Sequence, residues 1–134
     1  MSLGERFLAY NADENIAQLS FRDAHLKTPQ EVNHHFDAVV ALWRERCGGR
    51  KVYWLVNYED FSVDMRQNGL YGERMLVVFD LTALAIARYG GSSMQKAAVH
   101  LYSMRLHKSS NFYASREEAM DVLRRLRDGE MKQE

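Results

Sequence analysis

Polar and ionisable side chains are concentrated in VNYEDFSVDMRQNGLYG, residues 56–72, which follows an apolar, β-branched run. If that run is a parallel strand, the stretch leaves its carboxyl end, where open α/β sheets usually bind ligands. It is therefore the first candidate for a partner or ligand surface, although a plain connecting loop is also polar because water solvates it. The candidate residues are Glu59, Asp60, Ser62, Asp64, Arg66, Gln67, Asn68 and Tyr71.

Glu59 and Asp60 are consecutive carboxylic acids, a residue type that serves in general acid–base catalysis. Neighbours in an extended chain point in opposite directions, and the sequence identifies no companion base. We therefore assign no catalytic residue and expect a protein that is not an enzyme.

A second candidate site is YGGSS, residues 89–93, where two glycines lead from a strand into a helix. Backbone amides at a helix start can hold a phosphate or a carboxylate, which makes Gly91, Ser92 and Ser93 candidate anion-binding residues. The stretch lacks the lysine of a P-loop and the third glycine of a dinucleotide fingerprint. Ordinary capping by Ser92 explains the same residues, and both interpretations remain open.

The five histidines and the single cysteine do not have the spacing of a metal site. His34 and His35 are consecutive and diverge by about 100° on a helix, whereas His100 and His107 are about two turns apart. Cys47 has no second cysteine for a disulfide or a CxxC pair, and a helix carboxyl end opposes its thiolate. No metal and no cofactor are expected.

The composition is that of a globular chain with balanced charge. Of its 134 residues, 46% are hydrophobic, and 18 basic residues match 18 acidic ones. Nucleic-acid binders usually carry a basic excess, so no nucleic-acid partner is expected. The most apolar run, residues 75–87, contains Asp80 and is shorter than the roughly 20 residues that span a bilayer. The charged opening MSLGERFLAY and the lone cysteine favour a cytoplasmic location without membrane insertion.

The first half of the chain predicts a hairpin and a central strand. FLAYN and the alternating residues 16–22 are the expected hairpin strands. KVYWLVNY, residues 51–58, has few polar residues, as expected for a strand that is covered on both faces.

Between them lies a helix with clear signals at both ends. Thr28, Pro29 and Glu31 have the spacing of a capping box with proline at the first helical position. Gly48 and Gly49 end the helix.

The region after residue 63 predicts two more helices and a strand. The first helix begins between residues 64 and 73 and ends near Asp80, and a strand follows at residues 84–89. Ser92 caps the next helix, with Gln95 three residues later. Its apolar stripe is Met94, Ala97, Ala98, Leu101 and Met104.

The chain closes with a strand and a helix. The strand is expected at residues 111–113, and Ser115 with Glu118 caps a helix that ends at Gly129. The resulting order, β-β-α-β-α-β-α-β-α, predicts a single α/β domain over residues 1–134. It has about five strands in a mixed, mostly parallel sheet, four helices, and flexible ends at 1–6 and 130–134.

This order, together with KVYWLVNYEDFSVD and the closing NFYASREEAMDVLRRLR, resembles the STAS family and in particular its SpoIIAA-like members. The resemblance runs from about Ile16 to Leu126. Antagonists of that family carry an Asp-Ser-Ser-Gly-Leu type sequence in which a serine is phosphorylated. The matching stretch here is MRQNGL, with Gln67 and Asn68 in place of serines. The resemblance therefore implies a domain without the usual phosphoserine switch.

The same resemblance implies a non-enzymatic domain that binds a protein partner in bacterial regulation. The alternative is a carrier or sensor of a small apolar or amphipathic ligand, because SpoIIAA-like domains are similar in fold to lipid-carrying domains. Tyr71, Met75 and Phe79 are then the expected pocket wall. A homodimer, formed through an apolar second helix or the edge strand of the hairpin, is compatible with either.

Overall fold

The chain alternates strands and helices broadly as its sequence predicts, with one additional pair of short strands. The computed structural model describes residues 4–92, 96, 99, 100 and 111–131. In chain order the elements are β1 (Glu5–Asn11), β2 (Ile16–Arg22), β3 (Ala24–Leu26), α1 (Pro29–Cys47), β4 (Val52–Asn57), β5 (Phe61–Val63), a 3₁₀ turn (Met65–Gln67), α2 (Asn68–Thr82), β6 (Ala83–Tyr89), β7 (Phe112–Tyr113) and α3 (Arg116–Arg127).

Five of the strands form one mixed sheet in the order β1-β2-β4-β6-β7. β1 is antiparallel to β2, and every other neighbouring pair in this sheet is parallel. The expected five-stranded, mostly parallel sheet is therefore confirmed.

The central strand β4 is buried on both faces, as its sequence predicts. Trp54 and Val56 belong to the hydrophobic cluster beneath α1 and α2, which also contains Trp43. Leu55 belongs to the opposite cluster, where Leu123 of α3 packs. The sheet therefore lies between two helical layers, and its parallel strands end at one common edge.

The predicted caps at the starts of α1 and α3 are present. The Thr28 hydroxyl accepts a hydrogen bond from the Glu31 N–H at 3.1 Å, and the Ser115 hydroxyl accepts one from the Glu118 N–H at 3.1 Å. At the end of α1, Gly48 has φ +62°, a left-handed conformation that glycine adopts without strain.

The short strands β3 and β5 form a separate two-stranded parallel sheet that the sequence pattern does not predict. Its ladder pairs Ala24 with Phe61, His25 with Ser62 and Leu26 with Val63. Three residues are too few for a period-two pattern to be distinguished from a loop. Part of the stretch expected to be a surface loop is therefore a strand.

The boundaries around α2 differ slightly from those expected. The helix begins at Asn68, between the two limits of the prediction, and ends at Thr82 rather than near Asp80. The Thr82 hydroxyl donates to the Val78 carbonyl at 2.8 Å and accepts from the Trp54 indole at 2.9 Å, which fixes this last turn in the core.

Other differences lie toward the chain ends. Glu5 and Arg6 were expected in a flexible end but belong to β1. The helix expected after Ser92 falls mostly outside the described residues, including Ser93, Met94, Ala97, Ala98, Leu101 and Met104. Three helices have described bounds, and residues 96, 99 and 100, the described part of the region where the fourth was expected, are helical. Among these helices, none combines the length and apolar character required to cross a bilayer.

His35 of α1 is a titratable group enclosed in the core. It is 1% exposed, and its ring lies 4.8 Å from that of Phe21 and 5.2 Å from that of Phe61. Its Nδ1 accepts a hydrogen bond from Arg6 Nε at 2.8 Å. Burial, and then the positive charge of Arg6, hold the pKa of His35 well below its usual range. The folded protein therefore contains a neutral His35.

We predict that acid destabilises the protein through His35. Below about pH 6.5 the unfolded chain binds a proton at this residue while the folded chain does not, so the free energy of unfolding falls as pH falls. Its slope from this group is at most about 1.4 kcal/mol per pH unit, and above about pH 6.5 the contribution is constant. Urea unfolding across this range measures it.

His35→Gln removes the titration and keeps a neutral acceptor near Arg6. This variant should be less stable at neutral pH because packing is lost, but its stability should depend less on pH. His34→Gln is the matched control, because His34 is the exposed neighbour on the same helix. Equal pH dependence in His35→Gln and the parent protein would contradict the prediction.

Candidate functional site

The carboxyl ends of β4 and β6 and the short β3–β5 sheet surround a groove of about 390 Å³ that is wide open to solvent. Three chain segments that are distant in sequence contribute to it. The residues that line it are His25, Tyr58, Glu59, Asp60, Phe61, Ser62, Gly91 and Ser92. We call this the strand-end groove.

The strand-end groove brings together the two regions that the sequence predicts separately. Glu59, Asp60 and Ser62 of the predicted partner surface line it beside Gly91 and Ser92 of the predicted anion site. Both regions follow neighbouring parallel strands, so they leave the sheet at the same edge. Ser93 lies outside the described residues, and anion binding at this turn stays a prediction.

Two aromatic residues support the strand-end groove from inside. The Tyr58 N–H donates to the Tyr89 carbonyl at 2.9 Å, which ties the end of β4 to the end of β6. Tyr58 and Phe61 are 2% and 4% exposed, and their ring centroids are 5.5 Å apart. The walls therefore rest on packed core rather than on a solvated loop.

Gly90 allows the two walls to approach each other. Its φ is +76°, and a Cβ built there would lie 2.8 Å from Glu59 Cγ and 2.9 Å from Asn57 Oδ1. The same Asn57 oxygen accepts a hydrogen bond from the Glu59 N–H at 2.9 Å, which holds the turn after β4. Glycine at this position is therefore required by both backbone conformation and space.

On the wall formed by β3 and β5, His25 joins two polar neighbours. Its Nδ1 lies 2.7 Å from Ser62 Oγ, and its Nε2 lies 3.2 Å from Asp23 Oδ1. Sequence reasoning identified Ser62 but missed His25 and Asp23. The available signal was the alternation in DAHL, where polar Asp23 and His25 flank apolar Ala24.

The remaining predicted residues follow β5 along the chain and do not line the strand-end groove. Asp64 accepts two side-chain hydrogen bonds from Arg66, at 3.1 Å each, and also its backbone N–H. These bonds lower the pKa of Asp64 to about 2. Gln67 Nε2 donates to the Lys27 carbonyl at 3.5 Å, and Asn68 begins α2.

Met65 is an exposed apolar residue in this same segment that the sequence reasoning did not select. Its side chain is 70% exposed, between Asp64 and Arg66, and the Arg66 side chain is 81% exposed. An exposed methionine beside an exposed arginine adds apolar contact area to an otherwise polar segment.

Tyr71 does not belong to the exposed surface on which it was predicted. It is 6% exposed, its ring lies 5.1 Å from that of Phe36, and its hydroxyl is 3.2 Å from the Tyr58 hydroxyl. Burial raises the pKa of Tyr71 well above its usual value. It faces the core because it belongs to α2 and lies one turn before buried Met75 on the same helical face.

The cysteine and histidines show no metal arrangement in the described part of the chain. Within it, no group of three or more His, Cys, Asp or Glu side chains has a geometry that could hold a metal ion. Cys47 is buried at the end of α1, and burial raises the pKa of its thiol. This cysteine is a core residue at neutral pH rather than a thiolate nucleophile.

Comparison with known proteins identifies the fold. No family model matches the chain, and no curated protein matches it. A solved structure described as an uncharacterized protein from the DUF3478 family with a SpoIIAA-like fold, from Shewanella loihica PV-4, superposes with a TM-score of 0.58. The match covers 89% of this chain and 92% of that one at 10% identity. The chain therefore has a SpoIIAA-like fold, and at this identity the likeness shows the fold alone.

We predict that Gly90→Ala damages the strand-end groove. The added Cβ meets Glu59 and Asn57, and alanine is strained at φ +76°, so the free energy of unfolding should fall by roughly 1–3 kcal/mol. Urea unfolding measures the loss.

Gly69→Ala is the matched control. Gly69 lies in α2, and a Cβ there would have no heavy atom within 4 Å, so alanine should stabilise the helix by about 0.5–1 kcal/mol. Equal stability of Gly90→Ala and the parent protein would show that the turn tolerates a side chain.

Proposed function

We propose that this SpoIIAA-like chain is a non-enzymatic binding domain that engages a protein partner. Its partner surface comprises the strand-end groove and the exposed residues of 59–70. The observation that carries the proposal is the shape of the groove, which is open and formed by three separate chain segments at the carboxyl edge of a parallel sheet. A role in bacterial regulation rests on the family resemblance.

The residue types of this surface support the proposal. Aromatic Tyr58 and Phe61 support the groove, and charged Glu59 and Asp60 are exposed at its rim. Protein interfaces commonly combine an apolar centre with a polar rim, and methionine and arginine are enriched in them. Exposed Met65 and Arg66 extend the same character toward α2.

The alternative is a carrier of a small apolar or amphipathic ligand, and the core gives it less support. Met75 and Phe79, which were expected to line the ligand pocket, pack against the buried Arg88. Arg88 Nη2 donates to the Met75 sulfur at 3.3 Å, and the Arg88 guanidinium carbon lies 5.7 Å from the centre of the Phe79 ring. Tyr71 closes the same core cluster. Among the described residues this expected wall is packed core, so the carrier alternative places a small ligand at the strand-end groove.

A triple variant of the partner surface tests the proposal. Glu59→Ala, Met65→Ala and Arg66→Ala remove exposed side chains while keeping the buried supports of the groove. If each contact is worth about 1 kcal/mol, capture of the partner from host lysate should fall by at least tenfold. Quantitative mass spectrometry of the captured proteins measures this change, and circular dichroism confirms folding.

The matched control carries Glu45→Ala, Arg44→Ala and Val77→Ala, which remove the same kinds of exposed side chain on α1 and α2. It should retain full capture. Equal capture by both variants would contradict the proposed surface.

Native mass spectrometry of the purified protein tests the carrier alternative, which requires a mass that disappears on denaturation. The same spectrum also gives the oligomeric state. If the protein is a homodimer, the edge strand β1 with its exposed Phe7 is the candidate dimer contact.

A further inference from the structure

Asp23, His25 and Ser62 form a continuous chain of contacts at one end of the strand-end groove. Ser62 Oγ lies 2.7 Å from His25 Nδ1, and His25 Nε2 lies 3.2 Å from Asp23 Oδ1. The serine and the carboxylate therefore contact opposite nitrogens of one imidazole ring. This is the order of groups in which a histidine can take a proton from a serine while a carboxylate orients the ring.

The direction of the hydrogen bonds follows from which groups can donate. An ionised carboxylate only accepts, so the contact with Asp23 favours the tautomer with hydrogen on His25 Nε2. Nδ1 of the same ring is then an acceptor, and the Ser62 hydroxyl must be the donor. The serine proton therefore points at the base that would remove it.

The backbone fixes this arrangement. His25 and Ser62 are directly paired in the parallel β3–β5 ladder. Alternation places the buried residues Ala24 and Phe61 on the other face, which leaves the polar side chains toward the groove. Asp23 has φ +53°, a left-handed conformation that aspartate tolerates, in the bend between β2 and β3.

The three side chains are accessible from solvent. His25 is 41% exposed and Asp23 is 76% exposed at the side chain. His25 and Ser62 both line the strand-end groove, with Gly91 and Ser92 among its other lining residues. Ser62 is half-buried and lines the open groove, so a small acyl donor can approach it from solvent.

We propose that Ser62 is a nucleophile that accepts an acyl group from an activated ester or thioester, with His25 as base and Asp23 as the positioning residue. Ser62 Oγ forms a bond to the carbonyl carbon while His25 Nδ1 takes the hydroxyl proton. The bond from carbon to the leaving group then breaks, and the leaving group departs with its electron pair and receives the proton from His25. The products are O-acyl Ser62 and a free alcohol or thiol. This inference goes beyond the partner-binding proposal and does not depend on it.

The test uses p-nitrophenyl acetate as the acyl donor and the purified chain. Released p-nitrophenol gives the rate, and peptide mapping by mass spectrometry gives the modified residue. We expect acetylation of Ser62 to be at least tenfold faster than that of Ser92, the other serine in the groove. Ser62→Ala should abolish the fast phase, whereas Ser20→Ala, which removes a half-buried serine of β2 that does not line the groove, should leave it unchanged. Labelling that avoids Ser62 overturns the proposal.

Variants of His25 and Asp23 distinguish a role in the acylation reaction from a role in folding. His25→Gln should slow acetylation by about 100-fold, and added imidazole should restore part of the rate, because it replaces the lost base. Asp23→Asn keeps the size of a side chain that is 76% exposed and removes its charge, so it should react more slowly, and circular dichroism checks that it folds. A folded His25→Gln that reacts at the parental rate overturns the proposal, as does an Asp23→Asn with unchanged rate.

Discussion

The burial of Phe61 is the constraint on which the strand-end groove depends. Its ring lies 4.6 Å from that of Phe21 and 5.2 Å from that of His35, so it anchors the β3–β5 sheet to the main core. Because side chains alternate along a strand, an inward Phe61 forces Ser62 to face outward. Parallel pairing then puts Ser62 beside His25. The burial of one aromatic side chain thus determines which polar groups meet at the groove.

The parts of the fold that the sequence predicts are those with long periodic patterns or specific caps. The hairpin, α1 with its Thr28 cap, the central strand and α3 with its Ser115 cap all depend on signals of this kind. The β3–β5 sheet was missed because its two strands have three residues each and its pairing is not local. The position of Ser62 in the groove follows from topology, because Ser62 comes after a parallel strand. The position of His25 could not be predicted, because it depends on the pairing of β3 with β5. Tyr71 lies in the core rather than on the predicted surface because it belongs to the buried stripe of α2, which also contains Met75 and Val78.

The match to a SpoIIAA-like structure at 10% identity shows how little of this fold depends on particular residues. Burial on both faces of β4 and right-handed parallel connections are satisfied by many apolar sequences. Local requirements are stricter. At Gly90, where the two walls meet, another residue would be strained at φ +76° and would displace the side chains of Asn57 and Glu59. The fold is therefore common to two chains of 10% identity, whereas the turn at Gly90 depends on particular residues of this chain.

The placement of the tryptophans has a consequence for optical studies of the protein. The sequence contains two tryptophans, Trp43 and Trp54, and both lie in the cluster beneath α1 and α2. On the opposite face, the aromatic residues packed against the α3 cluster in the described part are Tyr53, Tyr89 and Tyr113. Intrinsic tryptophan emission therefore monitors one layer of the sandwich. A detachment of α3 would leave that emission nearly constant, although it would change tyrosine emission and far-ultraviolet dichroism.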